Sequence, residues 1–254
     1  MNALDWLTSQ QQAVVFCQDL AGLTACSQQI QLASGERFVL RQQNERASRF
    51  AINYAQEAQI LSYLASLSFT PKVYYQTENS CLLRWIDGDI PSTFDATLLN
   101  KLAQSLAQLH LFPINKSLPT LDIAKRCQFL WQQLTTTQQA KLHFYPPFQD
   151  IQPFHQAICH HDLHLGNFVV KNNRLFLIDW EYSAVSDPAL EIAMLFSANS
   201  KALNSQQQAE FLHYYLQATK FNEVQFKQKM AEYHPAIHRL NQLWFAILEP
   251  ETLF

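Results

Sequence analysis

Three polar side chains in one short part of this sequence have the types and the spacing that phosphoryl transfer requires. Asp162 and Asn167 lie within residues 158–170, and Asp179 lies within residues 175–181. Transfer of a phosphoryl group from a nucleotide needs one carboxylate to orient and deprotonate the attacking hydroxyl, and oxygen ligands for the magnesium ions that neutralise the phosphates. We expect Asp162 to be the catalytic base, and we expect Asn167 and Asp179 to hold the metal.

A strand, a turn and a second strand are predicted between Asn167 and Asp179. The apolar run 168–170 precedes a polar turn at 171–174, and the apolar run 175–178 then leads into Asp179. Because a hairpin returns the chain to the point where it began, this unit would bring Asn167 and Asp179 close together.

The motifs in this region resemble those of a known group of enzymes. His160, Asp162 and Asn167 match the H-x-D-x-x-x-x-N loop of protein kinases, in which a metal-binding Asp follows at a strand end. The runs HHDLHLGNFVV, LFLIDWEY and DPALEIA are similar, more specifically, to the aminoglycoside phosphotransferase and choline kinase superfamily, above all to bacterial thiamine kinases and bacterial choline kinases. The match is specific over residues 158–194. Elsewhere only the order and the lengths of the predicted elements match.

The resemblance implies an α+β, protein-kinase-like fold with two lobes, and it implies ATP and Mg²⁺ as cofactors. Residues 1–86 would form a nucleotide-binding N-lobe, a small antiparallel sheet with one helix. Residues 87–254 would form a mostly helical C-lobe with the catalytic loop and the substrate pocket. The apolar pattern favours strands at 28–32, 37–41, 72–76 and 80–86, and helices at 44–67, 98–111, 121–143 and 189–198 and in the tail, with breaks near residues 221–222 and 234–235.

Three residues of the N-terminal part are candidates for nucleotide binding. In the resembling family a basic residue at this strand end reaches the phosphates, and here it is Arg41, which would hold phosphate through two parallel hydrogen bonds. Glu57 would pair with Arg41, as the helix Glu of kinases does with its cation. Gly22 stands where kinases have their phosphate-covering loop. The alternatives are a solvated arginine, pairing of Arg41 with Glu45, and an ordinary hairpin around Gly22.

Trp180 and Glu181, which follow Asp179 directly, are the candidates for acceptor binding. In choline kinase-like relatives an acid and aromatic rings near the substrate suit a cation, through charge and cation–π attraction. We therefore expect the acceptor to be a small cationic alcohol, with thiamine as the first choice and choline or ethanolamine as the second. Aminoglycosides rank third, because their several amines would need a more acidic pocket.

Other residues of the motif region are expected to have positioning roles. Glu191 lies in an apolar helix that Asp187 and Pro188 begin, so its charge needs a partner. In the resembling family an acid near this place braces the catalytic-loop backbone. His160 is expected to position the loop rather than to exchange protons, and His110 is expected to be structural at a helix end.

Rival interpretations of the histidine-rich centre fit the sequence less well. His161 and Asp162 match the H-D dipeptide of metal-dependent phosphohydrolases, but those enzymes carry the pair on a helix, and strand-like runs follow it here. His160 and His164 lack the further Cys or His ligands that would complete a zinc site. A catalytically inactive kinase-like binding module remains as an alternative, although such proteins usually lose one of the three motif residues, and all three are present here.

Length, charge and cysteine content limit the types of protein that this sequence could encode. The chain has 254 residues, enough for two small lobes, and its net charge of −3 gives no reason to expect nucleic-acid binding. The five cysteines show no C-x-x-C spacing, which favours reduced thiols in the cytosol. Neither a signal peptide nor an apolar run of membrane-spanning length is predicted. We therefore expect a cytoplasmic enzyme, monomer or homodimer, that acts on a small molecule without a nucleic-acid or membrane partner.

Overall fold

The structure is a computed structural model that describes residues 2–20, 22 and 27–248. The strands are β1 (Val14–Asp19), β2 (Ser27–Leu32), β3 (Arg37–Gln42), β4 (Val73–Gln76), β5 (Ser80–Arg84), β6 (Ala157–Cys159), β7 (Phe168–Lys171), β8 (Arg174–Leu177) and β9 (Ala184–Ser186). The helices are α1 (Ala3–Ser9), α2 (Glu45–Arg49), α3 (Tyr54–Tyr63), α4 (Ala96–His110), α5 (Ile123–Gln132), α6 (Thr136–Ala140), α7 (Pro188–Ala198), α8 (Ser205–Thr219) and α9 (Glu223–Leu248). A short 3-10 helix, Leu165–Asn167, precedes β7.

The chain folds as two compact units, each built from separate segments. Unit 1 comprises Met1–Ser48, Ile52–Ser92 and Leu165–Ser183, and unit 2 comprises Arg49–Ala51, Thr93–His164 and Ala184–Phe254. The predicted lobes, residues 1–86 and 87–254, do not coincide with these units, because the chain returns to unit 1 for the β7–β8 hairpin. The division into functional lobes therefore stays a prediction.

Unit 1 contains a five-stranded antiparallel sheet with the strand order β1-β2-β3-β5-β4. Alternate side chains of β2 and β3 face one side of this sheet, as the two-residue period of a strand requires. They form the core with one residue of β5 and two of α1: Ile30, Leu32, Phe38, Leu40, Leu82, Ala3 and Leu7. Strands β2 to β5 and helix α3 agree with the predicted N-terminal elements, whereas α1 and β1 were not predicted.

The hairpin β7–β8 joins unit 1 through backbone hydrogen bonds to two earlier segments. Asp89 and Val170 exchange a pair of N–H···O bonds of 2.9 and 2.8 Å, and the Leu177 N–H donates to the Phe69 carbonyl at 2.9 Å. Gly88 makes this approach possible. Its φ is +154°, and a Cβ at this position would lie 2.6 Å from the Val170 carbonyl oxygen.

Unit 2 is mostly helical, with the short antiparallel pair β6 and β9 beside the helices. α4 packs against α8, and both α5 and α7 pack against α9. Side chains before the helices satisfy their first free N–H groups, as Asp95 does for α4, Asp122 for α5 and Asp187 for α7. This mixed α+β arrangement agrees with the predicted fold class. None of the helices in the described part of the chain is long and apolar enough to span a membrane.

The structure corrects three of the predicted helices. The stretch 44–67 forms α2 and α3, because the chain turns at Ala51 with a φ of 58° and α3 begins at a new cap, Asn53. The stretch 121–143 forms α5 and α6, since Thr135 starts a second helix with a capping box. The tail breaks between α8 and α9 as predicted, but α9 continues through Pro235. There the packing of buried side chains on either side outweighs the lost backbone hydrogen bond.

Candidate active site

The β7–β8 hairpin brings Asn167 and Asp179 to the same end of one element. Phe168 pairs with Leu177, and the Ile178 N–H donates to the Asn167 carbonyl at 2.9 Å. Asp179 follows with a φ of 66°, a left-handed conformation that is uncommon outside glycine and often found at functional sites. The predicted hairpin is thus present and brings the two candidate metal ligands together, while their role as ligands stays a prediction.

Arg41 of β3 lies at the centre of a buried group of acids in unit 1. Its Nη2 atom is 2.5 Å from Asp179 Oδ1 and 3.4 Å from Glu57 Oε1. Its Nη1 atom lies 3.4 Å from Glu181 Oε2 and donates to Ser27 Oγ at 2.6 Å. We call Arg41, Glu57, Asp179 and Glu181 the arginine cluster. The predicted pairing of Arg41 with Glu57 is present.

The alternatives for Arg41 do not hold in this structure. Arg41 is buried, with 5% of its surface exposed, so it is not a solvated strand-end arginine. Glu45 is exposed, whereas Glu57 is buried on α3. The sequence did not predict Ser27 and Glu181 as partners of Arg41. Neither their distance from Arg41 along the chain nor their residue types mark them as its partners.

The arginine cluster contains three carboxylates and one guanidinium. Burial opposes the charge on Arg41, but the carboxylates of Asp179, Glu57 and Glu181 outweigh it and raise the pKa of the guanidinium well above its usual value. Burial also raises the pKa of Glu57 to about 7, although Arg41 acts in the opposite direction. A group with this excess of acids attracts cations.

The donor set suits a hard divalent cation such as Mg²⁺. Asp179 offers a carboxylate that is 35% exposed, and Asn167 offers an amide oxygen at the same hairpin end. Such oxygen ligands are the ones that Mg²⁺ prefers. Nearby, Arg41 Nε, Glu57 Oε2 and the Tyr54 hydroxyl are buried without a hydrogen-bond partner among the described residues. Of these three, Glu57 Oε2 is a carboxylate oxygen of the type that Mg²⁺ binds, so the oxygens of Asp179, Asn167 and Glu57 fit a bound magnesium ion.

The acceptor-binding role of Trp180 and Glu181 stays a prediction, and the burial of both side chains argues against it. Trp180 is fully buried, and its indole N–H donates to the Leu177 carbonyl at 2.8 Å. The Glu181 side chain is 3% exposed and faces Arg41. The ring therefore belongs to the core and the carboxylate to the arginine cluster, so neither presents a surface to an acceptor. Their position directly after Asp179 does not indicate which way the side chains point.

The loop that carries Asp162, the candidate base, belongs to unit 2. The Asp162 N–H donates to His160 Nδ1 at 3.2 Å, and Asp162 Oδ2 lies 3.7 Å from His164 Nε2. The Asp162 side chain is 31% exposed, so its carboxylate is accessible to a hydroxyl. His160 is fully buried, which agrees with the predicted positioning role. The role of Asp162 as catalytic base stays a prediction.

Glu191 of α7 holds the backbone of this loop. Its Oε1 atom accepts from the N–H groups of His160 at 2.5 Å and His161 at 2.7 Å, and its Oε2 atom lies 2.5 Å from His110 Nε2. His110 Nδ1 lies 2.6 Å from the Tyr215 hydroxyl. Burial alone would raise the pKa of Glu191, but hydrogen bonds from His110 and the His161 backbone lower it to about 2. The predicted bracing by Glu191 is confirmed, and Tyr215 was not foreseen.

The predicted phosphate-covering loop, residues 20–27, lies largely outside the described residues. Gly22 is described and is exposed, whereas residues 21 and 23–26 are not described. The part of Gly22 in nucleotide binding therefore stays a prediction.

Comparison with known proteins identifies the family. Residues 27–233 match the family model described as the phosphotransferase enzyme family. The chain belongs to this family. A thiamine kinase of Escherichia coli O17:K52:H18 is 26% identical over 217 residues, which cover 83% of this chain and 75% of the relative. Protein LicA of Haemophilus influenzae is 38% identical over 91 residues, covering 34% of this chain and 32% of the relative.

Solved structures show the same fold. The choline kinase LicA from Streptococcus pneumoniae superposes with a TM-score of 0.73 at 20% identity, covering 98% of this chain and 90% of that chain. An ethanolamine kinase from Plasmodium vivax gives a TM-score of 0.68 at 16% identity, covering 94% of this chain and 78% of that chain. The predicted protein-kinase-like fold is therefore confirmed for this member of the phosphotransferase enzyme family.

Proposed function

We propose that this protein transfers the γ-phosphoryl group of ATP to the hydroxyl of a small cationic alcohol, with thiamine as the favoured acceptor. The observation that carries the proposal is the placement of Asn167 and Asp179 at one hairpin end, with Arg41 bound to Asp179. This arrangement concentrates oxygen ligands and a fixed cation, which are the groups that phosphate and magnesium require. Chemistry of this kind depends on positioning and electrostatic stabilisation rather than on a covalent step by the protein.

Each motif residue has a distinct role in this proposal. Asp162 accepts the proton of the acceptor hydroxyl while the hydroxyl oxygen attacks the γ-phosphorus. The bond between the γ-phosphorus and the β–γ bridging oxygen breaks, and ADP leaves. Arg41, held by Glu57, binds phosphate oxygens. Asn167 and Asp179 would hold magnesium, which would neutralise charge on the phosphates.

Thiamine ranks first because a thiamine kinase is similar over most of this chain, at 26% identity. Choline and ethanolamine rank second, because the solved kinases for those alcohols share the fold at 20% and 16% identity. The burial of Trp180 and Glu181 removes the residue-level argument for a cation site at those two positions. Support for a cationic acceptor therefore comes from the relatives. We place the reaction in the cytoplasm, where ATP is available and thiols stay reduced; the cysteines within the described residues are free.

An ADP-release assay over thiamine, choline, ethanolamine and an aminoglycoside tests the proposal. ADP should appear only when Mg²⁺ and an alcohol acceptor are supplied together, and kcat/KM should be highest for thiamine. Asp162→Asn should lower kcat by about 10²–10⁴-fold, since proton acceptance is lost. Asp150→Asn, the same change at an exposed position, is the matched control and should leave kcat unaltered.

Three results would count against the proposal or a part of it. Turnover by Asp162→Asn close to that of the parent would remove Asp162 from the role of base. Binding of nucleotide without turnover for any acceptor would favour the inactive kinase-like binding module. A preference for a polyamine or a neutral sugar would overturn the acceptor assignment and leave the kinase assignment intact.

A further inference from the structure

A buried chain of hydrogen bonds in unit 2 runs from α8 to the catalytic loop. The Tyr215 hydroxyl contacts His110 Nδ1 at 2.6 Å, His110 Nε2 contacts Glu191 Oε2 at 2.5 Å, and Glu191 Oε1 accepts from the N–H groups of His160 and His161. The residue that follows His161 is Asp162. We call this chain the tyrosine–histidine–glutamate relay.

The relay is closed to water, so each of its groups depends on the next. Tyr215 and Glu191 are fully buried, and His110 is 1% exposed. A buried carboxylate without its partners is costly, because neither water nor another donor replaces them. With Glu191 ionised, His110 Nε2 donates to it, and the Tyr215 hydroxyl donates to Nδ1; this arrangement gives every group a partner.

Both backbone N–H groups meet a single carboxylate oxygen, so the direction of the Glu191 carboxylate fixes the loop. His161 has a φ of 66°, a conformation that costs free energy and persists only when its surroundings hold it. Rotation of Glu191 would release both N–H groups and allow the backbone at His161 to relax. The Asp162 carboxylate would then move away from its position.

We infer that Tyr215 and His110 are positioning residues for Asp162, which act by fixing the direction of the Glu191 carboxylate. The inference rests on the proposed function, because Asp162 is assigned there as the base. The rate of phosphoryl transfer would then depend on His110 of α4 and Tyr215 of α8, in addition to the loop and α7. Neither residue touches the substrates through these contacts.

A bound metal ion is the rival explanation for the same residues. His110, Cys159 and Glu191 each offer a donor atom, and these atoms lie within 4.8 Å of one another. However, both oxygens of Glu191 already accept hydrogen bonds, and His110 uses both ring nitrogens. A metal ion would have to break contacts that the relay satisfies.

Three variants separate positioning from bulk packing. Tyr215→Phe removes only the hydroxyl and keeps the ring that packs against Phe211 and Phe226. His110→Leu removes both contacts at similar volume. His110→Gln keeps an amide donor for Glu191 and serves as the conservative rescue.

The matched control is Tyr233→Phe. This change also removes one buried tyrosine hydroxyl, here the donor to Asp187 Oδ2 at 3.0 Å. Asp187 still caps α7 through the Ala189 N–H, and the relay is untouched.

The kinetic experiment measures kcat and KM with thiamine and MgATP. His110→Leu should lower kcat by about 100-fold, the size of effect expected for a small misplacement of a catalytic group, with both KM values within about threefold. Tyr215→Phe should lower kcat by about tenfold, and His110→Gln should recover most of the loss. Tyr233→Phe should stay within about twofold of the parent. A loss that appears in KM and leaves kcat unchanged would overturn the inference, as would an equal loss of kcat in Tyr233→Phe.

Hydrogen exchange by mass spectrometry on a peptide covering residues 157–164 tests the inference without an acceptor. Exchange should be at least about tenfold faster in His110→Leu than in the parent, and unchanged in Tyr233→Phe. If no acceptor is turned over, the proposed function fails and exchange alone decides on the relay. If His110→Leu does not fold, Tyr215→Phe decides. The inference would be overturned if the relay variants exchanged at the parent rate. It would also be overturned if the parent bound stoichiometric zinc and His110→Leu did not.

Discussion

The buried imidazole of His161 predicts a specific loss of stability in acid. Its side chain is 5% exposed, and neither ring nitrogen has a hydrogen-bond partner among the described residues. Burial lowers the pKa of His161 from 6.5 to about 4 with a smaller contribution from the positive charge of Arg126, although Glu191 acts in the opposite direction. Between these two pH values the unfolded chain binds a proton at His161 that the folded protein does not bind.

The sign and size of the effect follow from proton linkage. Stability rises with pH wherever the unfolded state binds more protons, so stability is lost as the pH falls from 6.5 to about 4. Each pKa unit corresponds to 1.36 kcal/mol, so the loss over this window is about 3 kcal/mol. The pKa of Glu191, lowered to about 2, adds a separate loss that begins only below its unfolded value of 4.5.

The perturbation is His161→Asn, because Asn removes the titration and tolerates the left-handed backbone at this position. Urea unfolding at several pH values between 7 and 4.5 measures the free energy of unfolding. The parent should lose about 1 kcal/mol more per pH unit than the variant in this range, whatever the stability of the variant at neutral pH. His143→Asn, at an exposed histidine, is the control and should keep the parent slope. If the free energy of unfolding changed equally with pH in the parent and in His161→Asn, the burial of a neutral imidazole would be refuted.

The remaining predictions concern unit 1. Asp179→Ala should abolish the magnesium dependence of ATP binding in calorimetry, and retained dependence would exclude Asp179 as a ligand. Gly88→Ala should lower the free energy of unfolding by about 2–4 kcal/mol, since its Cβ would lie 2.6 Å from the Val170 carbonyl oxygen, whereas Gly35→Ala, with nothing within 4 Å, should cost about 1 kcal/mol in the same urea titration. Trp180→Phe should lower stability by about 2 kcal/mol and leave the acceptor KM unaltered; a raised KM with parent-like stability would restore Trp180 to the acceptor site.

The features that the sequence predicted well depend on neighbours in the chain. Asn167, the hairpin and Asp179 form one local unit, so turn chemistry and strand patterns were sufficient to place them together. Pairing of Arg41 with Glu57 spans only 16 positions and followed from a known arrangement of strand and helix.

The features that the sequence did not predict depend on contacts between distant segments. Tyr215 and His110 are 105 positions apart, and no pattern in either helix marks them as partners. The direction of Glu181 towards Arg41, 140 positions away, was equally hidden. The burial of Trp180 was not predicted, because residue type indicates what a side chain is able to bind, whereas burial depends on the packing of the whole unit.

The discontinuity of unit 1 affects how the protein is made. Its second segment ends at Ser92 and its third at Ser183, so 183 − 92 = 91 further residues must be synthesised before the unit has all its parts. At about 5–20 residues per second, the ribosome needs about 5–18 s for this stretch. During that time the nascent sheet lacks the hairpin bonds to Phe69 and Asp89, and Arg41 lacks Asp179 and Glu181. A fragment that ends at residue 92 would carry the nucleotide-binding candidates Arg41 and Glu57 and still be an incomplete folding unit.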